Sequence, residues 1–150
     1  MLVGDGPERL PAERLCEELG IVDKVIFFGN SNEIDSILAY SDLFLLPSET
    51  ESFGLAALEA MAWSVPVISS NTGGLPEVNV QGVSGYLAPV GDIDAMAKDA
   101  IAILNNNETL ATFKKQALEV AQQFDIALIL PQYEKLYHEA LRKSWKESFF

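Results

Sequence analysis

Three short runs, DKVIFFG, DLFLLP and VPVISS, are apolar at consecutive positions and not at alternate ones. A strand of that pattern has no face to offer to water, so it belongs in a sheet covered on both sides. Between these runs stand segments whose apolar residues recur at helical spacing. AERLCEELG reads as a helix closed by Gly20, at the position where a left-handed residue ends the last turn. NEIDSILAYS sets Ile34, Ile37, Leu38 and Tyr40 on one side of a short helix, and FGLAALEAMAW forms the helix after DLFLLP. NTGGLPE leads from VPVISS through a loop and a short helix to a further strand, GYLAPV. The run LV, before the turn GDGP, is another strand. Alternation of this kind predicts an α/β fold, a Rossmann-like parallel sheet with flanking helices. One domain over residues 1–150 is expected, ending in a helical C-terminal tail.

The last third carries that tail. DIDAMAKDAIAIL puts Ile93, Met96, Ala97, Ala100, Ile101 and Leu104 on one stripe. ETLATFKKQALEVAQQF does the same with Leu110, Phe113, Ala117, Val120 and Ala121, and the tail repeats it with Tyr133, Leu136, Tyr137, Ala140 and Leu141. Pro131 predicts a kink or a fresh helix start. The first strand begins at residue 2, directly before a turn, so the chain is expected to be the later part of a larger domain.

Composition narrows the function classes. A chain of 150 residues, 49% hydrophobic, can bury a core of ordinary size. A net charge of −12 disfavours a nucleic-acid partner, whose phosphates are held by lysine and arginine, and it disfavours anionic membrane surfaces. No apolar run is long enough to cross a bilayer. MLVGDGPE lacks the basic start and apolar stretch of a signal peptide. The single cysteine, Cys16, reads as a small buried hydrophobe, and a reducing cytoplasm is the expected location. Acidity does not exclude a phosphorylated small molecule, because backbone amides can hold an anion.

Ligands of open parallel sheets sit beyond the carboxyl ends of the strands. The loops at Gly4–Pro7, Gly29–Ser31, Pro47–Gly54 and Ser70–Glu77 are therefore the places to search. One of them opens TESFGLAALEA, in which Glu51 and Glu59 bracket seven residues. A structural reading makes Ser52 the helix cap, places Glu51 favourably at the positive end of the helix and leaves Glu59 on the surface. A chemical reading exposes the amides of Ser52, Phe53, Gly54 and Leu55 to the crevice, with Gly54 letting an anion approach the backbone. A helix N-terminus contributes roughly 0.3–1 kcal/mol to a nearby anion, and up to about 2 when partly buried. Two carboxylates flanking that site could grip hydroxyl-bearing rings at either end of a diphosphate, the layout of a sugar nucleotide.

The stretch LFLLPSETESFGLAALEAMAWSVPVISSNTGGLPEV, with LVGDGPE, VIFFGN and GVSGYLAPVGD around it in order, resembles the retaining glycosyltransferases of family four. The resemblance runs from Leu2 to about Leu141 and corresponds to most of the donor-binding domain, one half of the two-domain GT-B architecture. It implies that the full-length protein moves a sugar from a UDP-sugar donor to a small-molecule acceptor, and the wording of SETESFGLAALEAMA and QYEKLYHEAL resembles the family members that join N-acetylglucosamine to L-malate. Carried over by resemblance, Glu51 is the catalytic-site residue on the donor-sugar hydroxyls, Ser52, Phe53, Gly54 and Leu55 hold the diphosphate, and Glu59 binds the ribose. Gly29 and Asn30 lie beside the base, and Gly4 and Gly6 line the floor of the cleft. The family implies no cofactor and no metal, and retention through front-face attack assisted by the leaving diphosphate. It also implies an N-terminal domain bearing the acceptor site, absent from this chain, on which a tail helix over about 126–150 packs, and an arginine and a lysine supplied from upstream.

By the same resemblance the chain alone is expected to be inactive, with Trp145, Phe149 and Phe150 left exposed. Two alternatives stay open: a non-catalytic nucleotide-sugar-binding or interaction module, and a sugar-nucleotide epimerase of the same architecture. Ser64 stands where the family commonly has glycine, and is expected in a helix-end conformation that suits glycine better. Asp92–Asp94 reads as a helix cap and not as a metal-binding pair. Gly73 and Gly74 offer either a close backbone approach to a donor or a flexible loop. His138, the only histidine, reads as a surface or core-edge residue of the tail helix and not as a catalytic group. No Gly-x-Gly-x-x-Gly after a strand and no Walker sequence occurs, which disfavours NAD and ATP sites of those kinds.

Overall fold

The computed structural model describes residues 1–147, with side chains as far as residue 142. The expectation for Trp145, Phe149 and Phe150 lies outside the described side chains. The chain divides into two compact units, Met1–Ile37 and the part from Leu38 onward.

The first unit pairs two short strands, β1 (Leu2–Val3) and β2 (Phe27–Gly29), in parallel, with Leu2 opposite Phe27 and Val3 opposite Gly29. Helix α1 (Arg9–Glu18) and a 3-10 turn at Val22–Lys24 connect them. Gly20 closes α1 as expected: its N–H donates to the Glu17 carbonyl at 3.1 Å, and that of Ile21 to the Cys16 carbonyl at 2.9 Å. Cys16 is buried on the inner side of α1. Leu2 and Val3 remain half exposed, so coverage on both faces, expected from their apolar character, is not seen for this pair of strands. Helix α2 (Ile34–Ala39) ends the unit and runs into the next. It buries Leu38, while Tyr40, expected on the same side, is 88% exposed.

The second unit is built on a three-stranded parallel sheet in the order β3-β4-β5, with β3 Phe44–Leu46, β4 Val67–Ser70 and β5 Gly85–Ala88. Phe44 lies opposite Val67, and Val67 opposite Gly85. The central strand is buried at all four residues, as its continuous apolar pattern requires. Side chains alternate across it, so Val67 and Ser69 point to one face, Ile68 and Ser70 to the other. Helices α3 (Leu55–Ala62), α4 (Leu75–Val78), α5 (Ile93–Leu104) and α6 (Asn107–Ala121) surround the sheet, and α7 (Ile126–Glu147) follows a 3-10 turn at Gln122–Phe124. This is the α/β arrangement of parallel strands and flanking helices that the alternating pattern predicts.

Caps set the helix starts. The Asp92 carboxylate accepts the Ala95 amide at 3.0 Å, which is the capping role expected for it. The Asn106 side chain accepts the amides of Glu108 and Thr109 at 2.8 and 3.0 Å, and separates α5 from α6.

The core joins Ile68 and Ala88 of the sheet to Met96 and Ile103 of α5 and Phe113 of α6. Fully burying each of the larger side chains contributes about 1.5–3 kcal/mol. Helix α6 buries Phe113, Ala117 and Val120, the expected stripe. Helix α5 does not follow its expected stripe. Its buried residues are Met96 and Ile103, while Ile93 and Ile101 are 77% and 64% exposed. With isoleucines and alanines on several sides, its sequence defines no single apolar face, and the sheet selects the one carrying Ile103. Helix α7 runs through Pro131 without the fresh start expected there. Its first turn is held instead by Asp125, whose carboxylate accepts the Ala127 amide at 2.8 Å.

Candidate functional site

In the second unit, the loop after β3 and the N-terminus of α3 lie beyond the carboxyl edge of the sheet. Ser52 does not cap α3. The cap is Gly54, with φ of +100°, and no side chain bonds the first turn. A left-handed turn of that kind costs an ordinary residue strain that glycine avoids. It turns the chain sharply into the helix, so that Gly54 is buried while Phe53 and Leu55 are exposed. The Gly54 carbonyl accepts the amides of Ala57 and Leu58 at 3.0 and 3.1 Å. The amides of Phe53, Gly54 and Leu55 have no acceptor among the described residues. These are the orphan donors of a helix start, able to take an anion.

Ser52 differs from the other three. Its amide donates to the Glu51 carboxylate at 3.0 Å, so this N–H is already satisfied within the loop. The same bond holds the half-buried Glu51 side chain against the turn. Glu59 lies on α3 beyond the turn. It is exposed and lines a cleft of about 340 Å³ with Leu58, Ala62, Leu118, Gln122 and Phe124. The lining of that cleft is mostly apolar, and Glu59, Gln122 and Asp125 bring polar groups to it. Phe53 meets Phe124 edge to face at 6.2 Å, which ties the loop to the turn before α7.

The loop after β4 supports this arrangement from below, a role that motif reading did not separate from donor contact or flexibility. Gly73 has φ of +54°, and a methyl group there would overlap the Glu51 carbonyl oxygen. A methyl on Gly74 would fall 2.7 Å from the Phe53 Cα and 2.8 Å from the Ser52 carbonyl oxygen. One placed on Gly54 would meet Leu75 Cδ2 at 2.9 Å. The two glycines thus let one backbone lie directly on the other. The Asn79 side chain, fully buried at the end of α4, donates toward the Val67 carbonyl at 3.1 Å, Ser69 Oγ at 2.9 Å and the Tyr86 carbonyl at 3.1 Å. It also accepts from Ser84 Oγ at 2.9 Å. An asparagine between two apolar residues, in EVNV, was the available signal for this node.

In the first unit, Gly4, Gly29 and Asn30 gather at the ends of β1 and β2. The Gly4 amide donates to the Gly29 carbonyl at 2.8 Å. The Gly6 amide donates to the Asp5 carboxylate at 2.9 Å, and methyl groups on Gly4 or Gly6 would meet nothing within 4 Å. Asn30 is exposed. Arg9 bonds Glu13 at 2.9 Å and stands 5.9 Å from the Phe27 ring centre. The Glu13 hydrogen bond is the main cause raising the Arg9 pKa above its ordinary value. His138 is exposed on α7, one of the two placements expected for it. Among the described residues no three of His, Cys, Asp and Glu gather closely enough to hold a metal ion.

A parallel α/β unit with free amides at the carboxyl edge of its sheet has the layout in which open α/β sheets take their ligands. The model of the glycosyl transferases group 1 family matches residues 1–120, and the chain belongs to that family. It is 46% identical over 143 residues to the N-acetyl-alpha-D-glucosaminyl L-malate synthase of Bacillus anthracis, covering 95% of this chain and 38% of that protein. It is 32% identical to the D-inositol 3-phosphate glycosyltransferase of Corynebacterium glutamicum, covering 91% of this chain and 34% of the relative. The chain therefore spans little more than a third of these relatives' length. Among solved structures, HepE of Anabaena in complex with UDP superposes with a TM-score of 0.83 at 29% identity, over 92% of this chain and 40% of that one. A complex of the same protein with UDP-glucose superposes with a TM-score of 0.82 at 28% identity. The Rossmann-like α/β half of the GT-B architecture, expected from the ordered motifs, is the fold found.

Proposed function

We propose that this chain is the donor-nucleotide half of a retaining, metal-independent glycosyltransferase that moves N-acetylglucosamine from a UDP-sugar to L-malate. The observation that carries the reading is the Phe53–Leu55 turn, which presents unpaired amides beside Glu51 at the edge of a parallel sheet. The 46% identity to an N-acetyl-alpha-D-glucosaminyl L-malate synthase, and the likeness to a structure holding UDP-glucose, support the choice of donor and acceptor.

In this proposal the amides of Phe53, Gly54 and Leu55 receive the diphosphate, and Ser52 contributes its amide only when Glu51 turns to the sugar hydroxyls. Glu59 accepts hydrogen bonds from the ribose. Transfer forms a bond from an acceptor hydroxyl oxygen to the anomeric carbon on the face the diphosphate leaves. The bond from that carbon to the diphosphate oxygen breaks, its electron pair stays on the leaving oxygen, and the acceptor proton passes to it. Charge grows on the leaving oxygens as the bond breaks. Amides already aimed there stabilise that charge without reorganising.

Calorimetric titration of UDP into the wild-type chain and Glu59→Ala tests the assignment. Loss of a hydrogen bond to a charged acceptor predicts an affinity about tenfold or more weaker for the variant. Equal affinities would remove Glu59 from the site, and absence of UDP binding at millimolar concentration would overturn the donor-half reading.

A further inference from the structure

We infer that Gly73, Gly74 and Leu75 are positioning residues that hold the Glu51–Leu55 turn in its anion-receiving shape. This rests on the donor-half reading and deepens it. The turn after β3 has little to shape it from within. Its one described side-chain bond to its own backbone joins neighbours, Glu51 to the Ser52 amide, and its helix cap is a glycine with no side chain. Its shape must then come from outside, and the loop after β4 supplies the surface. Gly73 lies against the Glu51 carbonyl, Gly74 against Ser52 and Phe53, and Leu75 beneath Gly54. Leu75 is fully buried, and its helix is pinned at the other end by Asn79, which bonds β4 and β5 together. Rigid sheet, pinned helix and glycine pair form a continuous support, and the exposed amides are its last layer. A misplacement of about 1 Å at such donors weakens binding severely.

Gly74 gives the cleaner test. Its φ of −81° is ordinary for any residue, so Gly74→Ala introduces a contact without backbone strain. Gly82→Ala is the converse control, because Gly82 has φ of +72° yet open space around it. Uridine and UDP serve as probes. The expected result is that Gly74→Ala binds UDP about tenfold or more weakly while uridine affinity stays within about twofold, and Gly82→Ala keeps both. Exchange of the Ala57 and Leu58 amides, whose acceptor is the Gly54 carbonyl, reports the turn without any ligand, and should quicken in Gly74→Ala alone. Wild-type exchange rates in Gly74→Ala would overturn the support whether or not UDP binds. Failure of the wild type to bind UDP, with exchange still altered in Gly74→Ala, would overturn the donor reading and leave the mechanical support standing. If Gly74→Ala does not fold, Leu75→Val, which only removes bulk below Gly54, should show the same UDP-selective loss. Unchanged UDP binding in a folded Leu75→Val chain would then refute the inference.

Discussion

At the scale of single residues, backbone conformation decides more than side-chain identity. Ser64 is the clearest case. It follows α3 with φ of +60°, alone in positive φ among the described non-glycine residues. Its amide donates to the Met61 carbonyl at 2.9 Å, and that of Val65 to the Ala60 carbonyl at 3.0 Å, the double closure that usually employs glycine. Ser64→Gly should therefore stabilise the chain by about 1 kcal/mol, read as a higher denaturant midpoint at unchanged slope. An unchanged midpoint would mean that the left-handed serine carries no strain. Gly20 was legible because a helix pattern that stops needs a left-handed residue just after it, and Ser64 because it stands where the resembling family commonly has glycine. Ser52 was misread for a complementary reason. A serine before an apolar helix looks like a cap, but the chain turns two residues later, at Gly54, and the helix begins where the backbone turns.

At the scale of elements, the number of apolar faces a segment offers determines how far its packing can be read. Helix α6 has one, and its buried set, Phe113, Ala117 and Val120, is the expected one. Helix α5 has several, and burial falls on Ile103 where Ile101 was expected. The two isoleucines make a direct comparison. Ile103→Ala should cost about 2–5 kcal/mol through lost burial and a cavity beside Phe113. Ile101→Ala, on the exposed side, should change stability by no more than about 0.5 kcal/mol. Equal losses in urea unfolding would show that α5 sits rotated about its axis. The support of the β3 loop by the β4 loop also belongs to this scale. It joins segments some twenty residues apart in sequence, and Gly73 and Gly74 acquire their meaning only when those segments meet.

For the whole molecule, coverage of the relatives is the controlling fact. The chain spans 38% of the length of the N-acetyl-alpha-D-glucosaminyl L-malate synthase it resembles at 46% identity. If the acceptor site and further diphosphate contacts belong to the remainder, this chain should bind UDP yet form no N-acetylglucosaminyl malate from UDP-N-acetylglucosamine and L-malate. Product detected by mass spectrometry with the purified chain would contradict that division of labour. No helix among the described residues is long and apolar enough to cross a membrane. Helix α7 presents Leu136, Tyr137 and Leu141 at 58%, 64% and 59% exposure.

Sequence alone determined the α/β class, the parallel pairing of apolar strands, the helix stops at Gly20 and Ser64, and the family, because each follows from local periodicity or an ordered set of short motifs. Tertiary structure decided which face of α5 is buried, that Gly54 and not Ser52 begins α3, and that the glycine pair after β4 props the turn after β3. Those outcomes depend on where distant backbone lies. A one-dimensional pattern records which residues can turn or pack closely, but not what they will turn toward or pack against.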